Sequence, residues 1–250
     1  MTSFGTFEEA TGKVRDVKGW MSPDQAERLY RAAASTRPGD QVVEIGSFQG
    51  RSTIVLAYGA PIDVPIVAID PHAGNDRGPQ EIEGYEAAAA GDHEQFLANL
   101  SAAGVSDRVR HVRAFSDAAH GEVQGAVAVL YIDGAHRYSP ARADIVDWGA
   151  RVAPGGTMLI HDSFSSVGVT LAILRELVPG SRFRYVGRSR SLTEYRADLD
   201  GTMRSRAVNA LAQLAQLPWF VKNLLVKALI SVRLGGVLKA ITGREPEWPY

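Results

Sequence analysis

The sequence predicts an α/β domain whose mostly parallel sheet is covered by helices on both faces. Short apolar segments alternate along the chain with segments of helical periodicity, and this alternation is typical of parallel strands joined by helical crossovers. The strands are apolar at successive positions, as in Ala128-Val-Leu-Tyr-Ile132, which indicates burial on both faces. The chain has 250 residues, of which 45% are apolar and 22% charged, so it can bury one full core.

The individual elements follow from local signals taken in chain order. Ser22-Pro23-Asp24-Gln25 combines an N-cap serine, a proline at the first helical position and a glutamine three residues after the cap, which predicts a helix start. The predicted helices span 23–34, 51–58, 93–103, 140–150 and 167–177. The predicted strands span 41–46, 64–69, 108–113, 126–132, 157–160, 183–186 and 191–195. Residues 71–91 form a long loop whose polar part, 74–91, is either a lid over the ligand or a surface excursion.

The composition excludes several classes of protein. The chain contains no cysteine, which rules out a disulfide scaffold, an iron–sulfur cluster, a thiolate zinc site and a cysteine nucleophile. A metal ion would therefore need oxygen or imidazole ligands. Residues 1–18 contain acids and lack an apolar segment, so a signal peptide is not expected. We therefore expect a cytoplasmic location.

Charge is distributed unevenly between a domain at 1–200 and a tail at 201–250. The whole chain has a net charge of −1, but Met203 to Arg244 contains seven basic residues and no acid. The acidic body has no basic stripe, so nucleic acid is not expected as a partner. The apolar and basic stretch 217–233 packs on the body or on the second subunit of a homodimer, lies on the inner membrane face, or is disordered. It lacks the ~20 apolar residues that cross a bilayer.

Polar and glycine residues follow each of the first five predicted strands. Because ligands of parallel α/β sheets bind beyond the carboxyl ends of the strands, this convergence predicts one ligand site at that edge. The five segments are Gly46-Ser-Phe-Gln-Gly50-Arg-Ser52, Asp70-Pro-His72, Ala114-Phe-Ser116-Asp117, Asp133-Gly-Ala-His136 and His161-Asp162-Ser163.

The first two segments predict a nucleoside site. Gly46 and Gly50 lack between them the middle glycine of the dinucleotide fingerprint, which disfavours a nicotinamide-dependent dehydrogenase. The turn is interpreted as admitting a ligand without a pyrophosphate, with the Ser52 hydroxyl near a helix N-terminus holding a carboxylate. Asp70 is placed to accept hydrogen bonds from ribose hydroxyls. The alternatives are a purely structural turn at Gly46 and a capping role for Asp70.

Three motifs carry a resemblance to a known family. Glu44-Ile-Gly-Ser-Phe-Gln-Gly-Arg-Ser-Thr53, Ile69-Asp-Pro-His72 and Ile132-Asp-Gly-Ala-His136 resemble class I S-adenosylmethionine-dependent methyltransferases. The sequence is most similar to the group containing macrocin-type sugar O-methyltransferases and cephalosporin-hydroxylase-like proteins, over roughly Gly19 to Tyr195. The resemblance implies a Rossmann-like fold with a seven-stranded, mostly parallel sheet and one antiparallel strand, followed here by a C-terminal helical extension.

The resemblance implies a cofactor, S-adenosylmethionine, and a set of residues around it. The segment after the first predicted strand would bind the methionine end of the cofactor, the segment after the second its ribose, and the segment after the third its adenine. The segment after the fourth strand would also border the cofactor. The implied residues are Glu44, Gly46, Ser47, Gly50, Ser52, Asp70, Phe115, Ser116 and Asp133.

Catalytic and metal-binding residues are implied in the same way. Asp133 and Asp162 would hold a divalent metal, with Mg²⁺ the expected ion, and His136 would be the general base. Members of the group often have an acid immediately before the second of these aspartates, whereas this chain has His161, which is expected to pack or to support the ligands rather than to bind the metal.

Methyl transfer itself requires such residues. An alcohol becomes a good nucleophile only as it loses its proton, which a bound cation favours and a histidine with a pKa of about 6.5 accepts. Asp133 and His136 are three residues apart in one loop, so both face the same cleft. The alternatives are a turn former at Asp133, a helix cap at Asp162, and capping or backbone bonding by His136.

The sequence therefore predicts a metal-assisted O-methyltransferase that methylates a hydroxyl of a sugar or glycoside, such as a precursor of a methylmannose polysaccharide. Its partner would be a small-molecule or oligosaccharide acceptor. The alternatives are a catechol or phenol O-methyltransferase and a non-catalytic, cofactor-binding membrane adaptor. His72, His93 and His120 are expected at the surface or in loops, and Trp148 in the core.

Overall fold

The computed structural model describes residues 3–73 and 85–231, which contain one seven-stranded sheet. The strands are β1 (Val42–Ile45), β2 (Ile66–Ile69), β3 (Val109–Val112), β4 (Val127–Ile132), β5 (Val152–Ile160), β6 (Arg184–Ser189) and β7 (Leu192–Arg196). Their order in the sheet is β3-β2-β1-β4-β5-β7-β6. Strand β7 is antiparallel to β5 and β6, and the other pairs are parallel. The predicted sheet with one antiparallel strand is confirmed.

Helices cover both faces of this sheet. They are α1 (Phe7–Lys13), α2 (Pro23–Ala34), α3 (Arg51–Gly59), α4 (Tyr85–Ala103), α5 (Tyr138–Ala143), α6 (Val167–Glu176), α7 (Met203–Leu214) and α8 (Leu217–Ser231). One apolar core lies between the sheet and α1 to α4, and it includes Leu29, Ile54 and Phe96. The other lies on the opposite face and includes Trp148 and Ile173. Trp148 is fully buried, as predicted.

Strand register brings four carboxyl ends to one edge of the sheet. Ile45 pairs with Ile69 of β2 and with Ile132 of β4, and Ile132 pairs with Ile160 of β5. The chain leaves these paired positions at neighbouring points of the same edge. The residues that emerge there are Gly46, Asp70, Asp133 and His161.

The prediction of one continuous α-helix over 140–150 is wrong. α5 ends at Ala143, and the chain continues as a π-helical segment, Asp144–Trp148, and a 3₁₀ turn, Gly149–Arg151. The π-helical segment buries both Asp144 and Trp148. The sequence periodicity does not reveal this change from an α-helix to a π-helix, because the apolar spacing of the segment is compatible with an ordinary helix.

The fifth strand begins earlier than predicted. It starts at Val152 rather than at Thr157, because the strand passes through a bulge before it reaches the ligand edge. Val127 pairs with Val152, whereas Val129 pairs with Thr157. Gly155 lies inside the bulge with a φ of 75°, a left-handed conformation that glycine adopts without steric cost.

Two helix starts differ from the prediction. Helix α1 lies in the N-terminal segment, where no helix was predicted, and a capping box begins it. The Thr6 hydroxyl accepts from the Glu9 amide at 3.1 Å, and the Thr6 amide donates to the Glu9 carboxylate at 2.7 Å. Helix α4 begins at Tyr85, inside the predicted loop. Residues 74–84, which form most of the predicted lid, lie outside the described residues.

The described part of the tail packs on the body of the domain. Trp219 and Phe220 of α8 pack against the second core, and Asn223 Nδ2 donates to the Phe164 carbonyl at 3.0 Å. Lys227 Nζ donates to the Ser165 carbonyl at 2.9 Å. These contacts agree with packing on the body, whereas contact with a second subunit or a membrane stays a prediction. Residues 232–250 lie outside the described part.

No helix within the described ranges combines the length and the apolar character that crossing a membrane requires.

Candidate active site

A cleft of about 390 Å³ opens at the carboxyl edge of the sheet. Its walls come from the loops after β1, β2, β3 and β4 and from the π-helical segment that follows α5. Among the residues predicted to surround the cofactor, those that line the cleft are Gly46, Asp70, Phe115, Ser116 and Asp133. A volume of this size is within the range of small-molecule sites.

The turn after β1 requires a glycine at its first position. Gly46 has a φ of 86°, and a Cβ built there would lie 2.1 Å from the backbone oxygen of Asp133. Any larger residue would push the loop after β4 away from the loop after β1. Gly50 also has a φ of 86°, and it begins α3 against the Phe96 ring rather than in the cleft.

Asp70 ties two walls of the cleft together. Its Oδ2 accepts from the Phe48 amide at 2.8 Å, and its Oδ1 accepts from the His72 amide at 2.8 Å. Each carboxylate oxygen has a second lone pair available for a ligand hydroxyl. Asp70 and the Gly46 turn therefore share one cleft wall.

Glu44 and Ser52 lie behind this turn. Glu44 is fully buried, and its carboxyl group accepts hydrogen bonds from the hydroxyls of Ser52 and Thr53. Burial raises the pKa of Glu44 to about 8, although the two hydroxyls oppose that rise. The Ser52 hydroxyl therefore donates to Glu44 and supports the turn after β1.

A small recess adjoins the cleft between the loop after β1 and residues 18–21. Two polar atoms of the recess, Ser47 Oγ and Arg51 Nε, are buried and have no hydrogen-bond partner among the described residues. Buried polar atoms without partners are uncommon in folded proteins and point to a ligand or a water. The guanidinium of Arg51 is held by the Val17 carbonyl at 2.7 Å. Arg51 follows Gly50 in the motif after β1 and was not among the predicted site residues.

The opposite end of the cleft carries an aromatic ring and a buried acid. Phe115 is 63% exposed, and Ser116 Oγ donates to Asp144 Oδ1 at 2.5 Å. Burial raises the pKa of Asp144 to about 6. Asp144 was not among the predicted site residues, because its place in the cleft depends on the π-helical segment.

Four side chains that follow β4 and β5 form a group that we call the carboxylate cluster: Asp133, His136, His161 and Asp162. His136 Nε2 lies 2.7 Å from Asp162 Oδ2. His161 Nδ1 lies 3.1 Å from Asp162 Oδ2 and 3.3 Å from Asp133 Oδ1. The Tyr131 hydroxyl donates to Asp133 Oδ2 at 2.9 Å. His136 and Asp162 line a small hollow that shares Asp133 with the cleft.

The electrostatics of this cluster centre on His161. Burial alone would lower the pKa of His161, but Asp133 and Asp162 outweigh burial and raise it to about 10. Burial alone would raise the pKa of Asp162, but His161 and His136 hold it well below its usual range. His161 is therefore a cation at neutral pH that separates two carboxylates. His161 was expected to pack or to support the ligands, and its ring contacts both Asp133 and Asp162.

The carboxylate cluster has a donor set that fits a divalent cation. One ligand atom from each of Asp133, His136 and Asp162 lies within 4.8 Å of the others. Asp133 Oδ1 is buried and accepts no hydrogen bond from the described residues. The two carboxylates suit Mg²⁺ or Mn²⁺.

The expectation for two other histidines is only partly met. His72 lies in a loop as predicted, but it is buried, and its ring packs against His93 and His111. His93 lies on α4 and is half-buried rather than at the surface or in a loop. The apolar patterning gave no sign of this contact, since the three residues are distant in the sequence.

The fold and the cleft define the class of the protein. Strand order β3-β2-β1-β4-β5-β7-β6, with β7 antiparallel and a ligand cleft where β1, β2 and β4 end, is the arrangement of class I S-adenosylmethionine-dependent methyltransferases. Residues 43–163 match a family model described as a methyltransferase domain.

Three solved structures with similar folds are described as O-methyltransferases. The O-methyltransferase from Bacillus cereus in complex with SAH is 17% identical, with a TM-score of 0.53 over 76% of this chain and 90% of that chain. The O-methyltransferase NovP is 18% identical, with a TM-score of 0.55 over 76% and 88%. TomG from Streptomyces achromogenes, in complex with SAM, is 17% identical, with a TM-score of 0.50 over 76% and 86%. At these identities the likeness establishes a shared fold.

Proposed function

We propose that this protein is a metal-assisted O-methyltransferase that transfers the methyl group of S-adenosylmethionine to a hydroxyl of a sugar or glycoside. The observation that carries the proposal is the pair of His136 and Asp162, joined at 2.7 Å and lining the small hollow that shares Asp133 with the cleft. A base positioned by a carboxylate next to a nucleoside-sized cleft is what removal of a hydroxyl proton needs.

The cofactor is proposed to lie along the cleft from the recess to Phe115. Asp70 accepts hydrogen bonds from the ribose hydroxyls, and Phe115 covers the adenine. Asp144 accepts a hydrogen bond from the adenine amino group, beside Ser116. The buried and unpartnered atoms Ser47 Oγ and Arg51 Nε support placing the methionine carboxylate in the recess, since a carboxylate would satisfy both.

The proton is proposed to pass from the acceptor hydroxyl to His136. Asp162 accepts a hydrogen bond from His136 Nε2, which leaves Nδ1 to take the proton. As the acceptor oxygen bonds to the methyl carbon, the carbon–sulfur bond breaks and its electron pair goes to sulfur. The products are a methyl ether, S-adenosylhomocysteine and a protonated His136. The loops after β1 and β4 hold the two reactants in line, which supplies much of the rate by proximity.

A divalent metal would be held by Asp133 and Asp162. Bound there, it would lower the pKa of the acceptor hydroxyl. Asp133 Oδ1 supports this assignment, because it is buried and its contact with His161 Nδ1 at 3.3 Å does not have hydrogen-bond geometry. His161 opposes it, because its positive charge already lies between the two carboxylates. The residue therefore sets the pH at which the cation binds.

The choice of a sugar acceptor rests on the resemblance of the segments after β1 and β4 to macrocin-type enzymes. A panel of glycosides and catechols, assayed by S-adenosylhomocysteine release with Mg²⁺ present, separates this class from phenol methylation. Turnover of catechols alone would contradict the sugar assignment and leave methyl transfer intact.

The role of His136 is tested by His136→Ala on any acceptor that the panel identifies. Turnover is expected to fall by roughly 10²–10⁴-fold, while the calorimetric affinity for S-adenosylhomocysteine stays within a factor of about two. His120→Ala is the matched control, since His120 stacks on Trp148 away from the cluster. Near-full turnover by His136→Ala would remove the base assignment.

A further inference from the structure

Three histidines on the β2–β3 side of the cleft form a second group, which we call the histidine cluster: His72, His93 and His111. They come from the loop after β2, from α4 and from β3. The ring centroids lie 5.0 to 5.2 Å apart in all three pairs. One ring nitrogen of each residue lies within 4.8 Å of the other two. The His72 side chain is 1% exposed.

Hydrogen bonds fix the tautomers of two of these rings. His72 Nε2 lies 2.7 Å from the Phe48 carbonyl oxygen, and His111 Nε2 lies 3.2 Å from the Asp70 carbonyl oxygen. A carbonyl oxygen only accepts, so each Nε2 carries the proton and each Nδ1 keeps its lone pair. His72 Nδ1 is buried and has no hydrogen-bond partner within the described part of the chain. Histidines that bind metals commonly donate their second nitrogen to a backbone carbonyl in this way.

The surroundings lower the pKa of two of the three rings. Burial and the neighbouring His72 lower the pKa of His111 to about 4. Burial and the nearby Arg113 also lower the pKa of His93. Neutral imidazole is the form of histidine that coordinates a metal.

We propose that His72, His93 and His111 bind one divalent transition-metal ion of the zinc class. Three imidazoles prefer Zn²⁺, Co²⁺, Ni²⁺ or Cu²⁺, whereas Mg²⁺ and Ca²⁺ prefer oxygen ligands. Nitrogens bound to one Zn²⁺ at about 2.1 Å lie roughly 3.4 Å apart in a tetrahedral site, so the rings draw together on binding.

Such a site has a structural consequence for the cleft. His72 lines the cleft, and its amide is bound by Asp70. A metal on the histidine cluster would join α4 to the ends of β2 and β3 and fix the wall on which Asp70 stands. The alternative is aromatic packing alone, since Phe96 also contacts His72 and His111 with centroid distances of 5.4 and 4.8 Å.

The experiment titrates chelator-treated protein, carrying no polyhistidine tag, with Zn²⁺ by calorimetry and with Co²⁺ by visible absorption. The wild-type chain and Asp133→Asn are each expected to bind one tight equivalent, with Co²⁺ absorption of a nitrogen-rich site. His93→Gln and His111→Gln are expected to weaken binding by more than about 100-fold. His120→Ala is the matched control and retains the site. Circular dichroism and thermal melting check that each variant is folded.

Two outcomes would overturn the proposal. One is the absence of a tight equivalent in the wild-type chain, which would leave aromatic packing as the role of the rings. The other is an equivalent that survives His93→Gln and His111→Gln but disappears in Asp133→Asn, which would place the ion on the carboxylate cluster. Because His93 is half-buried on a helix, His93→Gln is the variant least able to act through misfolding.

Discussion

The carboxylate cluster and the histidine cluster lie at the same edge of one sheet and differ in charge. The carboxylate cluster contains two acids with a protonated His161 between them, following β4 and β5. The histidine cluster contains three imidazole rings from the β2–β3 side, and burial lowers the pKa of one of them, His111. The cleft lies between them, with His72 in one wall and Asp133 in the other.

This difference indicates a division of roles. A hard cation requires oxygen ligands, which the carboxylate cluster supplies beside the proposed base His136. Imidazoles supply nitrogen ligands that can hold elements in place without attracting Mg²⁺. We therefore propose that the chemistry takes place on one side of the cleft and that a structural clamp lies on the other.

The largest expected effect is a loss of turnover when the carboxylate cluster is changed. Asp162→Asn removes the acceptor that orients His136 and one carboxylate ligand, so turnover is expected to fall by roughly 10²–10⁴-fold. Asp107→Asn is the control, because Asp107 is exposed in the turn before β3. Steady-state rates measured by S-adenosylhomocysteine release check this. A loss smaller than threefold would show that Asp162 has no part in the reaction.

The next effect concerns the pH dependence of metal binding. Because a raised pKa keeps His161 protonated up to about pH 10, a cation on Asp133 and Asp162 must displace that proton. Calorimetric Mn²⁺ affinity is therefore expected to rise with pH between pH 6 and 9, by up to about tenfold per unit. His161→Asn should bind Mn²⁺ more tightly at pH 6 and with a flat profile. The affinity of the histidine cluster for Zn²⁺ should vary little above about pH 7. If the affinities for Mn²⁺ and Zn²⁺ rose equally with pH, the two clusters would not differ in the way we propose.

A third effect concerns the turn that both clusters adjoin. Glu44 has a pKa raised to about 8 in the folded chain, so the folded state binds a proton that the unfolded state has lost. The free energy of unfolding is then expected to fall as pH rises from about 4.5 to 8, by at most about 1.4 kcal/mol per unit. Glu44→Gln should remove this part of the slope in urea titrations across that range. Parallel profiles for the variant and the wild-type chain would contradict a protonated Glu44.

The smallest effect couples the clusters through the cleft. If Zn²⁺ fixes the wall carrying Asp70, S-adenosylhomocysteine should bind a few-fold more tightly to the Zn²⁺-loaded chain, and Zn²⁺ should gain the same factor from the nucleoside. Calorimetry with and without Zn²⁺ measures this, with His93→Gln as the control. An unchanged affinity for S-adenosylhomocysteine in the Zn²⁺-loaded chain would contradict a coupling between the histidine cluster and the cleft.

Much of the fold and one half of the site could be predicted from the sequence. Continuous apolar strands and the glycine turn at Gly46 gave the sheet and the ligand edge, because burial on both faces and a left-handed turn each leave a local signal. The strand-end position of Asp70, Asp133 and Asp162 followed from the same pattern. Residues next to a strand end are positioned by the strand itself.

The rest depended on contacts between distant segments. His72, His93 and His111 meet only because β2 and β3 are neighbours and α4 packs across them. Asp144 enters the cleft through a π-helical segment that has no distinct sequence period. The charge of His161 follows from two carboxylates that the sheet brings to it, one from each of two strands.

The account is tested most directly by crystals of the full chain grown with S-adenosylhomocysteine, Mn²⁺ and Zn²⁺, with anomalous data collected at both metal edges. The nucleoside is expected with its ribose on Asp70, the Mn²⁺ peak beside Asp133 and Asp162, and the Zn²⁺ peak among His72, His93 and His111. A nucleoside bound away from Asp70 would contradict the proposed methyl transfer. Both metal peaks at the carboxylates would contradict the division between the two clusters.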